Sequence, residues 1–109
     1  MDCLFCRVIK KEIPANFVQE TENLVVFPDI NPIADVHLLI VPRVHIRGFE
    51  ELKVENGPLL VEIYQMASKL VTEYNLKETP YHVSVNGGKA QHIPHVHFHF
   101  LSGAWKKSL

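Results

Sequence analysis

Pro94-His95-Val96-His97-Phe98-His99-Phe100 alternates imidazole and apolar side chains without a break, and that period-two rhythm predicts an extended strand. His95, His97 and His99 then share one face while Val96, Phe98 and Phe100 enter the core from the other. Successive imidazoles should stand about 6.5–7 Å apart along one exposed row. Histidine passes readily between neutral nucleophile, acid and metal ligand near neutral pH, so three in a row point to a site. Two plainer accounts compete. Seven of the 109 residues are histidine, which leaves room for chance clustering. A His-x-His pair on a strand also suits a zinc ion, because neutral imidazole is a common zinc ligand.

Length and composition bound the setting. With 109 residues, 47% of them hydrophobic, the chain has apolar material for one core and too little length for two. A formal charge of −1 lacks the basic surplus that general attraction to nucleic acid or membrane surfaces requires. The longest apolar run, near Leu38 to Val41, is far too short to span a bilayer, and no basic start precedes an apolar segment. A cytoplasmic single domain over residues 1–109 is expected, with no repeat or linker and with residues 102–109 as a tail.

The expected elements run helix, three strands, helix, two strands. Leu4, Phe5, Val8 and Ile9 recur at helical spacing, with Pro14 as the stop. Short β runs follow near Phe17 to Gln19 and Leu24 to Phe27, then a turn at Pro28-Asp29-Ile30-Asn31-Pro32 and a buried strand from Val36 to Val41 closed by Pro42. Pro58 suits a helix start, Leu59, Ile63, Met66, Ala67, Leu70 and Tyr74 make one apolar stripe opposite Glu62, Lys69 and Glu73, and Asn75 suits the stop. Tyr81 to Val85 and the histidine segment supply the last strands. Short connections predict an α+β fold, a five-stranded antiparallel meander with one long and one short helix packed on one face.

Cys3 and Cys6 form a Cys-x-x-Cys pair. In a reducing compartment such a pair is a dithiol redox motif or half a zinc site. No strand precedes it, which disfavours the thioredoxin-like context, and a tetrahedral zinc would draw two further ligands from His37, His45, His82, His92 and the histidine row.

His95-Val96-His97-Phe98-His99-Phe100-Leu101 resembles the signature of the histidine triad superfamily of nucleotide hydrolases and transferases. Cys3-Leu4-Phe5-Cys6 through Ile13-Pro14 resembles the opening of its Hint branch. Phe27-Pro28-Asp29-Ile30-Asn31-Pro32 and His37-Leu38-Leu39-Ile40-Val41-Pro42-Arg43-Val44-His45-Ile46 match the next two blocks in order. The resemblance implies that His97 attacks the α-phosphorus of a nucleotide conjugate, forming a nucleotidyl-histidine that water hydrolyses. It implies His99, Asn86 and Gln91 as phosphate contacts, with the Gly87-Gly88 backbone able to approach closely. Asp29 would bind the ribose hydroxyls, since a carboxylate accepts from both, and Leu4, Phe5, Phe27 and Ile30, with Val8 and Ile13, would line the base pocket. It also implies a structural zinc on Cys3, Cys6, His45 and His95, with no catalytic metal, because four protein ligands leave no open position.

Two departures from the family pattern stand out. His92 occupies the place of a serine that assists the leaving group, which makes His92 a substitute acid or a bystander. The loop from Asn86 to Gln91 is also shorter than usual. The activity implied is phosphoramidase-like hydrolysis of a purine nucleotide conjugate. Alternatives are a dinucleoside polyphosphate hydrolase or nucleotidyl transferase, a nucleotide-binding module without turnover, or a metal-handling protein using the histidine row. The resemblance further implies a homodimer. Trp105 is a candidate contact to a partner or a cover for its own core, and Lys106 and Lys107 read as solvated tail charges.

Overall fold

The computed structural model describes residues 3–105, and of Trp105 only the backbone. The expectations for the Trp105 side chain, Lys106 and Lys107 therefore lie outside the described residues. Helix α1 (Leu4–Ile9) is followed by strands β1 (Gln19–Glu20), β2 (Leu24–Pro28) and β3 (Ala34–Pro42). Helix α2 (Gly57–Glu73) then leads to β4 (Tyr81–Val85) and β5 (Phe98–Trp105). All strand pairs are antiparallel and make one five-stranded sheet.

The sheet order is β1-β2-β3-β5-β4, so the meander holds for the first three strands only. After β3 the chain crosses through α2 and lays β4 at the far edge, and β5 returns into the gap. The crossover gives β5 a partner on each side, which buries His99 in the sheet interior, while His95 and His97, expected in the same strand, lie in the segment just before it. A second correction concerns the helices, which cover opposite faces. Leu24, Val26, Leu38, Ile40, Phe98 and Phe100 meet the Ile63, Met66, Ala67 and Leu70 face of α2. Val25, Phe27, Leu39 and Val41 meet Phe5 and Val8 of α1. Cover on both faces explains why β2 and β3 are nearly continuous apolar runs rather than alternating ones.

Pro14 does not end α1. The helix stops at Ile9, with Lys11 left-handed at φ 63°, where Lys11 N–H donates to the Val8 carbonyl and Glu12 N–H to the Arg7 carbonyl, both at 2.9 Å. Asn75, at φ 56°, closes α2 the same way, with Leu76 N–H on the Val71 carbonyl at 2.8 Å. Two further boundaries moved. Strand β1 is only Gln19–Glu20, and β5 begins at Phe98 and runs to Trp105, so residues 102–105 belong to the sheet rather than to a tail. Tyr74 is exposed at the end of the α2 stripe, where Val71 is buried in its place.

Candidate functional site

The sheet register decides which histidines meet. His99 pairs with Leu39 and Ser84, and His37 pairs with Leu101, which sets His99 and His37 on the α1 side of adjacent strands. The expected exposed row is instead buried: His95 is 0% exposed, and His97 and His99 are each 8%. Burial of three imidazoles needs polar partners, and each finds a different one.

His95 turns toward the N-terminus. Its Nδ1 lies 3.4 Å from Cys3 Sγ, 3.6 Å from Cys6 Sγ and 3.2 Å from His45 Nδ1, and Cys6 Sγ lies 3.3 Å from His45 Nδ1. The four donor atoms converge within 4.8 Å and could hold a metal ion. His95 Nε2–H donates to the Pro42 carbonyl at 2.8 Å, which orients the ring and leaves the Nδ1 lone pair facing the thiols. His37, His82 and His92, also considered as ligands, are not in this cluster. Cys3 caps α1, its Sγ accepting from Cys6 N–H at 3.4 Å.

His97 has the opposite tautomer. Its Nδ1–H donates to the His95 carbonyl at 2.7 Å, leaving the Nε2 lone pair for the cavity. Burial holds this imidazole below its ordinary pKa, opposed by the His95 carbonyl and the Asp29 charge, so the neutral form prevails at pH 7. Phe5 packs edge-on against His97, with ring centroids 5.1 Å apart.

His99 belongs to a hydrogen-bond chain. Ile33 N–H donates to His37 Nδ1 at 3.2 Å, so the proton of neutral His37 sits on Nε2, 2.9 Å from His99 Nδ1. His99 then carries its own proton on Nε2, 3.4 Å from the Asn86 amide nitrogen; both are donors, so the two N–H groups stand side by side rather than bond to each other. Burial, with His97 and His37 beside it, pushes His99 down to about 4, and burial also lowers His37 against the pull of Asp29. With His37 neutral, the 3.4 Å approach of Asp29 Oδ2 to His37 Nε2 is a polar contact rather than an ion pair, the Nε2 proton being directed to His99. Asp29, His37 and His99 also converge closely enough for a metal ion. The backbone bond at His37 Nδ1 favours the imidazole-to-imidazole hydrogen bond there instead, because a neutral ring with that acceptor must protonate Nε2.

His97, His99 and His37 open onto a cavity of about 820 Å³. Leu4, Phe5, Phe27 and Ile30 line its apolar end, with Asp29 beside them and Asn86 and His92 near the imidazoles. Ile30 is at the rim, 92% exposed. Asp29 Oδ1 accepts from Asn31 N–H at 2.8 Å, so the Pro28 to Pro32 turn aims the carboxylate. Gln91, expected at the phosphate, does not line the cavity: its amide donates to the Arg47 carbonyl at 2.7 Å and the Ile93 carbonyl at 2.8 Å. His37 is the member that sequence reasoning left without a role here. Its signal was present, since an imidazole inside the buried run from Val36 to Val41 demands a partner.

A hydrolytic or transfer site is what such a cavity can serve, with a lone pair, a neighbouring donor and an apolar slot converging. The profile of the scavenger mRNA decapping enzyme C-terminal binding family matches residues 2–108. The chain belongs to the HIT, or histidine triad, family. Among its relatives, Protein HitA of Neisseria gonorrhoeae is 34% identical over 102 residues, covering 92% of this chain and 94% of HitA. The adenosine 5′-monophosphoramidase HNT1 of Candida albicans is 38% identical over 109 residues, covering 91% of this chain and 68% of HNT1. A histidine triad protein from Clostridium difficile superposes with a TM-score of 0.92 at 30% identity, over 100% of this chain and 96% of that one.

Proposed function

We propose that this protein hydrolyses nucleoside phosphoramidates or related purine nucleotide conjugates at the α-phosphorus through a covalent nucleotidyl-His97. The observation that carries the reading is the 2.7 Å bond from His97 Nδ1 to the His95 carbonyl, which leaves Nε2 as the free nucleophilic atom of a neutral ring. Attack forms the Nε2–P bond and breaks the P–N bond, and the amine departs with a proton. Water then attacks phosphorus, the nucleoside monophosphate leaves, and the Nε2 lone pair is restored. His99 Nε2–H and the Asn86 amide supply donors for the phosphoryl oxygens, so charge developing there is met by fixed dipoles. His92, on the same cavity wall, is the candidate acid for the departing amine. Asp29 takes the ribose hydroxyls, and Phe5 and Phe27, 5.5 Å apart and edge-to-face, flank the base with Leu4 and Ile30.

The reading includes a structural zinc on Cys3, Cys6, His45 and His95. A tetrahedral zinc about 2.3 Å from sulfur and about 2.0 Å from nitrogen separates sulfur from nitrogen by about 3.5 Å and two nitrogens by about 3.3 Å. The observed spacings of 3.2–3.6 Å fit that ion. Bound there, zinc would supply positive charge and rigidity, tying α1 and its Phe5 to the segment that carries His97, with no open position for water. A homodimer is part of the proposal, supported by the edge position of β4 and by exposed Val61 and Tyr64 on the outer face of α2.

The test is AMP release from adenosine 5′-phosphoramidate. Turnover in the wild type, its loss in His97→Ala, and an acid-labile adenylyl adduct on the wild-type chain after quenching are expected. A folded wild type that binds AMP without turnover would favour the binding module, a reading that the withdrawal of Gln91 from the cavity supports.

A further inference from the structure

Residues 86–94 lead from β4 to the histidine segment and form the wall that presents Asn86, Ala90, His92 and Ile93 to the cavity. Two backbone bonds hold the loop to itself, Ala90 N–H on the Gly87 carbonyl and Gln91 N–H on the Gly88 carbonyl, each at 3.1 Å. Between Gly87 and Pro94, among the described residues, Gln91 is the one side chain hydrogen-bonded beyond the loop. Its amide nitrogen reaches the Arg47 carbonyl at 2.7 Å and the Ile93 carbonyl at 2.8 Å. Both partners are acceptors only, so the NH₂ end must face them, and both of its protons are engaged.

The far anchor is equally specific. Arg47 lies two residues beyond His45, and the neighbouring Ile46 carbonyl accepts from Val96 N–H at 2.7 Å, so the 45–48 segment runs beside the triad. Gly48 is buried, and a Cβ there would stand 2.9 Å from Gln91 Oε1 and 2.7 Å from Glu50 Oε1. The Glu50 side chain can swing away, whereas Gln91 is held by two bonds. The absence of a side chain at Gly48 therefore makes room for the Gln91 amide.

We infer that Gln91 is a positioning residue that clamps the phosphate-side wall of the cavity to the His45–Gly48 segment, with Gly48 as its seat. The inference rests on the proposed nucleotide site and adds how its phosphate half is held. Because the clamp reaches the wall bearing Asn86 and His92 but not Phe5, Phe27 or Asp29, it acts on phosphate recognition and leaves nucleoside recognition alone. General loss of structure would weaken both.

Calorimetric titration of adenosine and of AMP into wild type, Gln91→Met and Gly48→Ala, each checked for its melting temperature and bound metal, separates these cases. Gln91→Met keeps length and removes both donors. It is expected to weaken AMP about tenfold while adenosine affinity and metal content hold, so the AMP-to-adenosine affinity ratio contracts about tenfold. Gly48→Ala should move the same ratio in the same direction by about threefold, and it serves as the test if Gln91→Met fails to fold. A ratio unchanged from wild type, or an equal loss for both ligands, overturns the inference. A wild type that binds neither ligand overturns the proposed nucleotide site instead, and the clamp's role with it.

Discussion

His95 and His97 are two residues apart and serve opposite ends of the molecule's chemistry. His95 protonates Nε2 against the Pro42 carbonyl and offers Nδ1 to a cluster of thiols and imidazole. His97 protonates Nδ1 against the His95 carbonyl and offers Nε2 to the cavity. His99 reverts to an Nε2 proton because His37 donates to its Nδ1. Three like residues are held in alternating tautomers by three different acceptor and donor arrangements. One region thereby gathers converging lone pairs that could hold a metal ion, and the other keeps protons between imidazoles and one lone pair free. Residue type alone does not distinguish the two; the hydrogen-bond partner of the second ring nitrogen does.

The largest effect should come from exchanging the free lone pair for nothing. His97→Ala is expected to lower phosphoramidate turnover by at least about a thousandfold while metal content stays at the wild-type level. A variant that kept activity would place the nucleophile elsewhere and break the comparison. Cys6→Ser tests the other region: metal affinity should fall about a hundredfold or more, read by a chromophoric chelator competition, with a lower melting temperature. His37→Asn interrupts the proton chain without touching the metal cluster. It leaves His99 Nδ1 without its imidazole donor and should reduce turnover about tenfold to a hundredfold, with metal content unchanged.

The pH dependence of stability follows from His99. Its folded pKa of about 4 lies below the ordinary imidazole value near 6.5, so the unfolded chain binds the extra proton first. Stability is therefore intact above about pH 6.5 and falls as pH drops toward about 4, by on the order of 2–3 kcal/mol from this group. Denaturant titrations of wild type and His99→Asn at pH 7 and pH 4.5 should show a shallower loss in the variant. The smallest effect concerns the shared wall. Phe5 packs at 5.1 Å from the His97 ring and 6.1 Å from the His95 ring, so Phe5→Leu should weaken AMP binding about threefold to tenfold while shifting metal affinity little. A large metal effect would show the two regions to be one.

Much of the scaffold was legible from local pattern. The stripe on α2, the Asn75 stop, the Tyr81 to Val85 strand and the buried Val36 to Val41 run all reflect periods and caps that depend on neighbours within a few residues. The stop at Lys11 was not, because a lysine, unlike the asparagine at position 75, has no preference for the left-handed region that would mark it. The order of β4 and β5 was also hidden: a chain crossing through α2 can set the next strand adjacent or one place out, and only the pairing partners of β5 select between them.

Local pattern is enough to space His95, His97 and His99 at period two, to place Cys3 and Cys6 at the opening of a helix, and to group the chain with proteins carrying the same ordered blocks. Long-range packing is what buries His99 between β3 and β4, brings His37 to His99, and turns Gln91 from the cavity to the Arg47 and Ile93 carbonyls. The difference is one of range. Helix periods and caps are set by groups a few residues apart, whereas the proton position on an imidazole and the direction of an amide are set by whichever acceptor folding brings within 3 Å or so, from anywhere in the chain.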